Sequence, residues 1–355
     1  MAFTLGFHTR IPFRTSGAGR ALWEGVELFQ AAERLGYDRG WVYQRHFDNY
    51  LSSPLVFLPV VAQHTERIGV GSAIIGIRYQ DPILLAEQAA TADHLSHGRL
   101  QLGLGKGMGA FDVAFGQLAS DGGAVSKVRL DRFLRAITDQ VIGEANGPFA
   151  GVEPGEPLTV RGVDPSLIER TWFGAGSIGS AERVAGQGLA LMMSTVLTGA
   201  GVSDFNSYQA EAITRYRATH IGARPPRVAI SRSILPATSS ETARLYGAYD
   251  QERRSQGTAA SRPSGAMAQD PNRAMGPPGH TVTLSVSPAV VGEPAHVVET
   301  LLADPAVRIA DELICFLPPA FDHSQNLRLI TDIAETVAPQ LGWSPAAVSR
   351  SLQVA

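Results

Sequence analysis

Along this chain, short apolar runs alternate with longer stretches in which apolar side chains recur every three or four positions. The run at 3–7 is followed by an amphipathic stretch at 23–35, closed by Gly36. A run at 40–43 precedes a helix-like stretch at 54–64. The run at 68–75 precedes a helix predicted over 83–95, with Pro82 in its first turn and Gly98 beyond its end. Strand-like runs at 99–105, 171–174, 189–194, 227–232 and 313–316 follow, and helical periodicity marks 128–141, 181–186, 208–220 and 327–337. Eight strand–helix units can be counted, the seventh without a clear helix. Each crossover must return the chain to the same end of the sheet, so the sheet is parallel. Eight units favour closure into a (β/α)8 TIM barrel, one α/β domain over 1–355 with insertion loops, and an open doubly wound sheet is the alternative.

Three stretches interrupt the rhythm. Residues 147–162, rich in Gly and Pro, suggest a hairpin insertion, and 112–126 reads as a loop after the fourth strand. The longest polar stretch, 255–279, is expected to be a mobile lid.

Composition narrows the function classes. Apolar residues make up 44% of the 355, enough for a large core, and the net charge of −3 argues against a nucleic-acid partner held through phosphates. The single cysteine, Cys315, sits in an apolar strand run and excludes an internal disulfide or a cysteine-built zinc site. Histidine spacing gives no metal triad. No signal peptide and no membrane-length apolar run is visible, so a cytoplasmic protein with no membrane association is expected.

In such a barrel, chemistry belongs to the loops that follow the strands. Those positions hold His8, Gln44-Arg45-His46, Ser72-Ala73-Ile74, Gly105-Lys106-Gly107, 174–180, Ser194-Thr195 and Ser231-Arg232. Gly174, Gly176, Ser177, Gly179 and Ser180 join a strand end to a helix start, where free N–H groups and the helix dipole suit a phosphate. An ordinary N-cap with glycines in a tight turn describes the same residues. The glycines match the dinucleotide fingerprint, but the next strand ends at Ser194-Thr195 without the acidic residue that a ribose needs. Lys106 among glycines suits a phosphate, and equally a solvated surface lysine. An arginine beside His46 disfavours the imidazolium; taken alone, this histidine also fits a structural role.

Taken in order, these segments resemble the luciferase-like flavin monooxygenase superfamily, which includes bacterial luciferase and deazaflavin-dependent oxidoreductases. The resemblance is strongest over 65–87 and 93–107, where Asp93, Leu95, Ser96, Gly98 and Arg99 match a D-x-L-S-x-G-R pattern ahead of G-x-G-[RK]-G. It extends upstream over 33–47 and downstream over 174–194, 291–302 and 321–328, and is weakest at 110–165 and 240–285.

The resemblance implies a reduced FMN at the barrel mouth, with Lys106 on its phosphate and Gly176, Ser177, Gly179 and Ser180 completing the cradle. Arg129 or Arg132 adds a charge, and a non-prolyl cis peptide falls within Ser72, Ala73 and Ile74 beneath the flavin ring. It also implies O2 as co-substrate, a separate NAD(P)H-dependent flavin reductase and a homodimer built through helices of the second to fourth units. His46 and Arg45 are the catalytic candidates, and His8, Thr195 and Arg232 the substrate candidates. One departure stands out: family members carry Glu-His-His where this chain has Gln44-Arg45-His46. Arginine stays protonated and cannot act as a general base. The alternatives are therefore deazaflavin-dependent hydride transfer and a non-catalytic flavin-binding barrel.

Overall fold

The computed structural model describes residues 3–13, 17–107, 109–116, 123–148, 151–198, 204–257 and 284–346. Its barrel strands are β1 (Thr4–Thr9), β2 (Arg39–Val42), β3 (Gly69–Gly76), β4 (Leu100–Gly105), β5 (Thr171–Ala175), β6 (Ala190–Met193), β7 (Val228–Pro236) and β8 (Glu312–Phe316). All neighbours are parallel, and β7 pairs with both β8 and β6, so the sheet closes. Strands covered on both faces read as continuous apolar runs, which is why β4 and β8 are buried along their whole length.

Around the barrel lie α1 (Gly17–Arg34), α2 (Pro54–Gln63), α3 (Pro82–Leu95), α4 (Ala124–Ala136), α5 (Ile178–Ala185), α6 (Phe205–Thr219), α7 (Ser240–Gly257), α8 (Pro294–Ala303) and α9 (His323–Asp332). Several begin a few residues before the apolar pattern does, because the first turn is specified by caps rather than by burial. Asp81 accepts from the Ile83 and Leu84 amides ahead of Pro82, and Asp322 with Gln325 forms a capping box at α9. The unclear seventh unit holds two helices, α7 and α8. The last predicted helix ends at Asp332 and continues as a π turn, Ile333–Val337. A hairpin is present but starts before the expected 147–162: Gly143–Glu144 pairs with Pro157–Leu158. The expected loop at 112–126 contains a 3-10 turn, Val113–Phe115, and the start of α4. Of the expected lid, 255–257 are the end of α7, and 258–279 lie outside the described residues.

The barrel's amino-terminal end is closed by polar side chains that satisfy one another. Glu312 accepts from Trp41 Nε1 (2.8 Å) and Arg39 (2.7 Å), Trp172 Nε1 donates to Gln101 (3.0 Å), and Arg227 lies 4.7 Å over the Trp172 ring. Above this layer Trp41, Trp172, Ala190, Met192, Ala229 and Ile314 fill the interior. Space for a ligand is therefore left at the carboxyl end.

Candidate active site

The strand ends surround a cavity of about 380 Å³. Ala73 and Ile74 shape one wall. In β3, Ser72 pairs with Leu102 and Ile75 with Leu104, so two residues stand opposite Gly103 alone and bulge. The Ala73–Ile74 peptide is cis, within the three residues where the family resemblance implied one. Ser72 does not line the cavity. Its buried hydroxyl donates to the Gly103 carbonyl (2.9 Å) and accepts from the Gly103 amide (3.0 Å), which pins the bulge to β4. Gln44 holds the far side, accepting from the Gly76 amide at 3.1 Å.

Beside the bulge, β4 and β5 present glycine, and the Ile74 side chain lies across them. A Cβ on Gly105 would stand 2.4 Å from Ile74 Cδ1, and one on Gly174 3.4 Å from Ile74 Cγ2. Lys106 and Gly107 continue this wall to the rim, and Gly176 extends it just beyond β5. Ser177, Gly179 and Ser180 lie beyond the lining, in the first turn of α5. The two serine hydroxyls are committed to a capping box: Ser180 Oγ accepts from the Ser177 amide at 2.9 Å, and the Ser180 amide donates back at 3.2 Å. A phosphate here would meet backbone amides rather than serine hydroxyls. Arg129 donates to the Arg78 carbonyl, and Arg132 is exposed on α4; neither lines the cavity.

β2 ends at Val42, so strand alternation no longer separates Arg45 from His46, and both line the cavity. The Arg45 guanidinium is paired with Asp48 at 3.2 Å. The His46 pKa is lowered, as the sequence suggested, but the cause is burial rather than the neighbouring arginine. Phe115 (4.9 Å) and Tyr79 (5.9 Å) pack edge-on against the imidazole. Phe115 in turn stacks on Tyr79 at 4.3 Å. A buried Arg78–Asp112 pair (2.6 Å), with the Tyr79 hydroxyl donating to Asp112 (3.1 Å), fixes this aromatic group.

On the opposite side, His8 stacks on Phe316 (5.1 Å, 16°). The Ala73 carbonyl accepts from His8 Nε2 at 3.0 Å, which leaves Nδ1 as a bare acceptor. Burial, then the charge of Arg10, pulls the His8 pKa down to about 3, so the ring is neutral. Thr195 lines the cavity as expected. Arg232 is a correction. Its side chain is fully buried outside the barrel, bonded to Asp304 (2.9 Å) and Gln209 (2.8 Å), and the preceding Ser231 faces the cavity instead. Strand alternation at β7 decides between the two, and a sequence reading could have used it. Tyr43, Tyr79, Phe111, Met192 and Phe316 also line the cavity and were not singled out from sequence; they come from loop and strand positions that read as ordinary core.

Three lining residues carry buried polar atoms without a hydrogen-bond partner: His8 Nδ1, His46 Nε2 and Ser231 Oγ. Buried polar groups are nearly always paired, so such a cluster marks a place where a ligand completes the bonding.

A family model described as luciferase-like monooxygenase matches residues 1–309. The 4-hydroxyprotoasukamycin monooxygenase of Streptomyces nodosus subsp. asukaensis is 34% identical over 99 residues, a match spanning only 27% of this chain and 27% of that protein. YwcH of Bacillus subtilis (strain 168) is 30% identical over 236 residues, 66% of this chain and 68% of that one. Among solved structures, the oxygenating constituent of 3,6-diketocamphane monooxygenase from Pseudomonas putida, in complex with FMN, superposes with a TM-score of 0.66. It is 15% identical, with 96% of this chain and 99% of that one covered. The coenzyme F420-dependent tetrahydromethanopterin reductase of Methanopyrus kandleri gives 0.61, also at 15% identity, with 96% and 99% covered. At these identities the structural likeness establishes the barrel fold. No described helix is long and apolar enough to cross a membrane.

Proposed function

The chain belongs to the luciferase-like monooxygenase family, and from that premise we propose that it is the oxygenase component of a two-component system. It binds reduced FMN, uses O2 to oxygenate a small organic substrate, and takes its reduced flavin from a separate NAD(P)H-dependent reductase. The observation that carries this reading is the strand-end cavity, where the Ala73–Ile74 bulge, with Ile74 seated on Gly105 and Gly174, forms one wall and His8, His46 and Ser231 hold buried polar atoms without partners. A ligand in this cavity would complete the bonding of those buried atoms, and Lys106 at its rim supplies a positive charge for a phosphate.

A reduced flavin held there would supply the two electrons and two protons with which O2 gives one oxygen atom to substrate and the other to water. The chain's own residues do the rest. Lys106 and the amides near Gly176 anchor the phosphate. His46, kept neutral by burial, donates or accepts a hydrogen bond at the reacting centre. Tyr79, Phe111 and Phe115 around it exclude water. Arg45 offers a fixed positive charge to an anionic flavin or substrate. The exposed apolar side chains of Val56, Val60, Leu84, Leu95 and Val128 on α2, α3 and α4 support a homodimer through that face.

The same walls suit a deazaflavin, and the F420-dependent neighbour shares the fold. The separating experiment titrates the protein with FMN and with the deazaflavin coenzyme, then measures O2 uptake and oxygenated product with reduced FMN. Tight binding of the deazaflavin alone, without O2 uptake, overturns the FMN reading. Binding of FMN without any turnover points to a non-catalytic flavin barrel.

A further inference from the structure

Two of the unpaired polar atoms lie on the side of the cavity away from Lys106. On the barrel, β8 separates β1 from β7; His8 stands level with Phe316 and Ser231 level with Ile314. Strand spacing and rise put their Cα atoms roughly 10–12 Å apart. Both side chains point inward, so their polar ends converge to about the width of a six-membered ring. The surface between them is apolar, made of Ile314, Phe316 and Met192.

The chemistry of each position is restricted. His8 Nε2 is already committed to the Ala73 carbonyl, so only the Nδ1 lone pair remains, and it needs a donor. An anionic carboxylate has none to give. A cationic ammonium meets the Arg10 charge, which already acts on this ring. What remains is an uncharged O–H or N–H. Ser231 Oγ both donates and accepts, and so suits a carbonyl or a second hydroxyl. Neither atom is reached by water, so neither is satisfied by solvent. Both residues line the cavity, so an occupant of the cavity is the partner within their reach.

We propose that His8 Nδ1 and Ser231 Oγ form a substrate-recognition pair for an uncharged ring compound, one bearing an O–H or N–H donor at one end and a carbonyl or hydroxyl at the other. The inference rests on the flavin-oxygenase reading only in taking the opposite wall for the cofactor. Its test does not need turnover.

The probes are 4-hydroxyacetophenone, 4-methoxyacetophenone, which lacks the donor, and 4-ethylphenol, which lacks the carbonyl. Binding to the full-length protein is measured by calorimetry for the wild type, His8→Phe and Ser231→Ala. In the wild type, 4-hydroxyacetophenone is expected to bind about tenfold more tightly than either analogue, the scale set by one buried hydrogen bond. The preference over the methoxy compound should shrink to within about twofold in His8→Phe and persist in Ser231→Ala. The preference over 4-ethylphenol should shrink only in Ser231→Ala. Equal binding of all three probes to the wild type overturns the proposal, as does discrimination that survives both substitutions. Should His8→Phe not fold, the wild-type comparison and the Ser231→Ala arm decide alone. FMN affinity is measured separately on the same proteins. Failure of the wild type to bind FMN defeats the flavin reading while leaving the probe preferences intact. A tenfold loss of FMN affinity in both variants assigns the two atoms to the cofactor and overturns the proposal.

Discussion

Two glycines on β4, two residues apart, separate what the bulge needs from what the cavity needs. Neither has a positive φ, so adding a methyl group is a question of space alone. On Gly103 the new Cβ would stand 1.9 Å from the Ser72 carbonyl oxygen, and that atom is backbone, already inside the bulge. Relieving the clash means moving β3 by more than an ångström and breaking the Ser72 bonds to Gly103. Gly103→Ala should therefore cost about 3 kcal/mol or more, the upper range for overpacking. On Gly105 the obstacle at 2.4 Å is Ile74 Cδ1, the far end of a rotatable side chain. A χ change relieves it for about 1 kcal/mol, so Gly105→Ala should fold with a Tm within about 5 °C of the wild type. Ile74, displaced from the glycines, then moves into the cavity that it lines, and FMN affinity should fall by about tenfold or more. Trimming the obstacle in Gly105→Ala/Ile74→Ala should recover most of that loss, because the two sites are in contact and their effects do not add. The assays are calorimetric unfolding and flavin fluorescence titration. A Gly105→Ala protein that folds normally and binds FMN like the wild type would show that this wall does not face the flavin ring, and the argument for the cofactor site would fail.

Lys106→Ala should weaken FMN by about tenfold while leaving riboflavin nearly unchanged, since a charge-assisted contact to phosphate contributes about 1.5–3 kcal/mol; equal loss for both ligands removes Lys106 as the anchor. His46→Ala should lower turnover with reduced FMN while flavin affinity stays within about threefold, a difference of roughly 0.7 kcal/mol; a wild-type rate makes the histidine structural. Burial holds the folded His8 pKa at about 3, below the unfolded value of 6.5, so the unfolded chain takes up this proton first and stability falls as pH drops below 6.5 towards 3. Between pH 7 and 5 that amounts to about 2 kcal/mol, and denaturant titrations of His8→Gln should show that increment missing. Arg99→Ala should lower the unfolding free energy by about 3 kcal/mol in urea titrations without changing FMN affinity, because Arg99 donates to the Ala62, Thr65 and Ile68 carbonyls far from the cavity.

The barrel was legible from sequence because its signal is redundant: each strand–helix unit repeats the same switch of period. The most recognisable motif turns out to belong to the scaffold. Asp93 pairs with Arg170, Ser96 donates back to the Asp93 carbonyl (2.9 Å), and Arg99 gathers the carbonyls that lead into β3. Glu33 does the same for the amides of Glu66, Arg67 and Ile68. Such residues are recognisable because backbone groups need fixed partners. The strand-end positions were legible too, since barrel topology assigns chemistry to them, and the cavity includes His8, Arg45, His46, Ala73, Ile74, Lys106, Gly176 and Thr195. What was missed was direction. For the adjacent Arg232 and Ser231 the direction could have been read, since strand alternation along β7 decides which faces inward. Likewise Ser177 and Ser180 look like phosphate ligands until the capping box shows that their hydroxyls serve the helix.

The two ends of the barrel treat buried polar atoms in opposite ways, and the contrast bears on function. At the amino-terminal end, the Glu312 carboxylate is buried deeply enough that its pKa is raised, yet Trp41 and Arg39 still meet it within hydrogen-bond distance. Trp172 Nε1 and Gln101 are paired in the same layer. At the mouth, His8 Nδ1, His46 Nε2 and Ser231 Oγ are equally shut off from water and are left bare. Each bare atom costs about 1–3 kcal/mol of folding free energy, and apolar replacements at these positions would remove that cost. A chain that satisfies its floor so completely is capable of satisfying its mouth. At the mouth the cost falls where a ligand can recover it: two atoms lie on the side away from Lys106, and the third lies within the aromatic group around His46. Stability gained by Ser231→Ala alongside weakened ligand binding would be the direct sign of that trade, because a residue kept only for packing would lose both together.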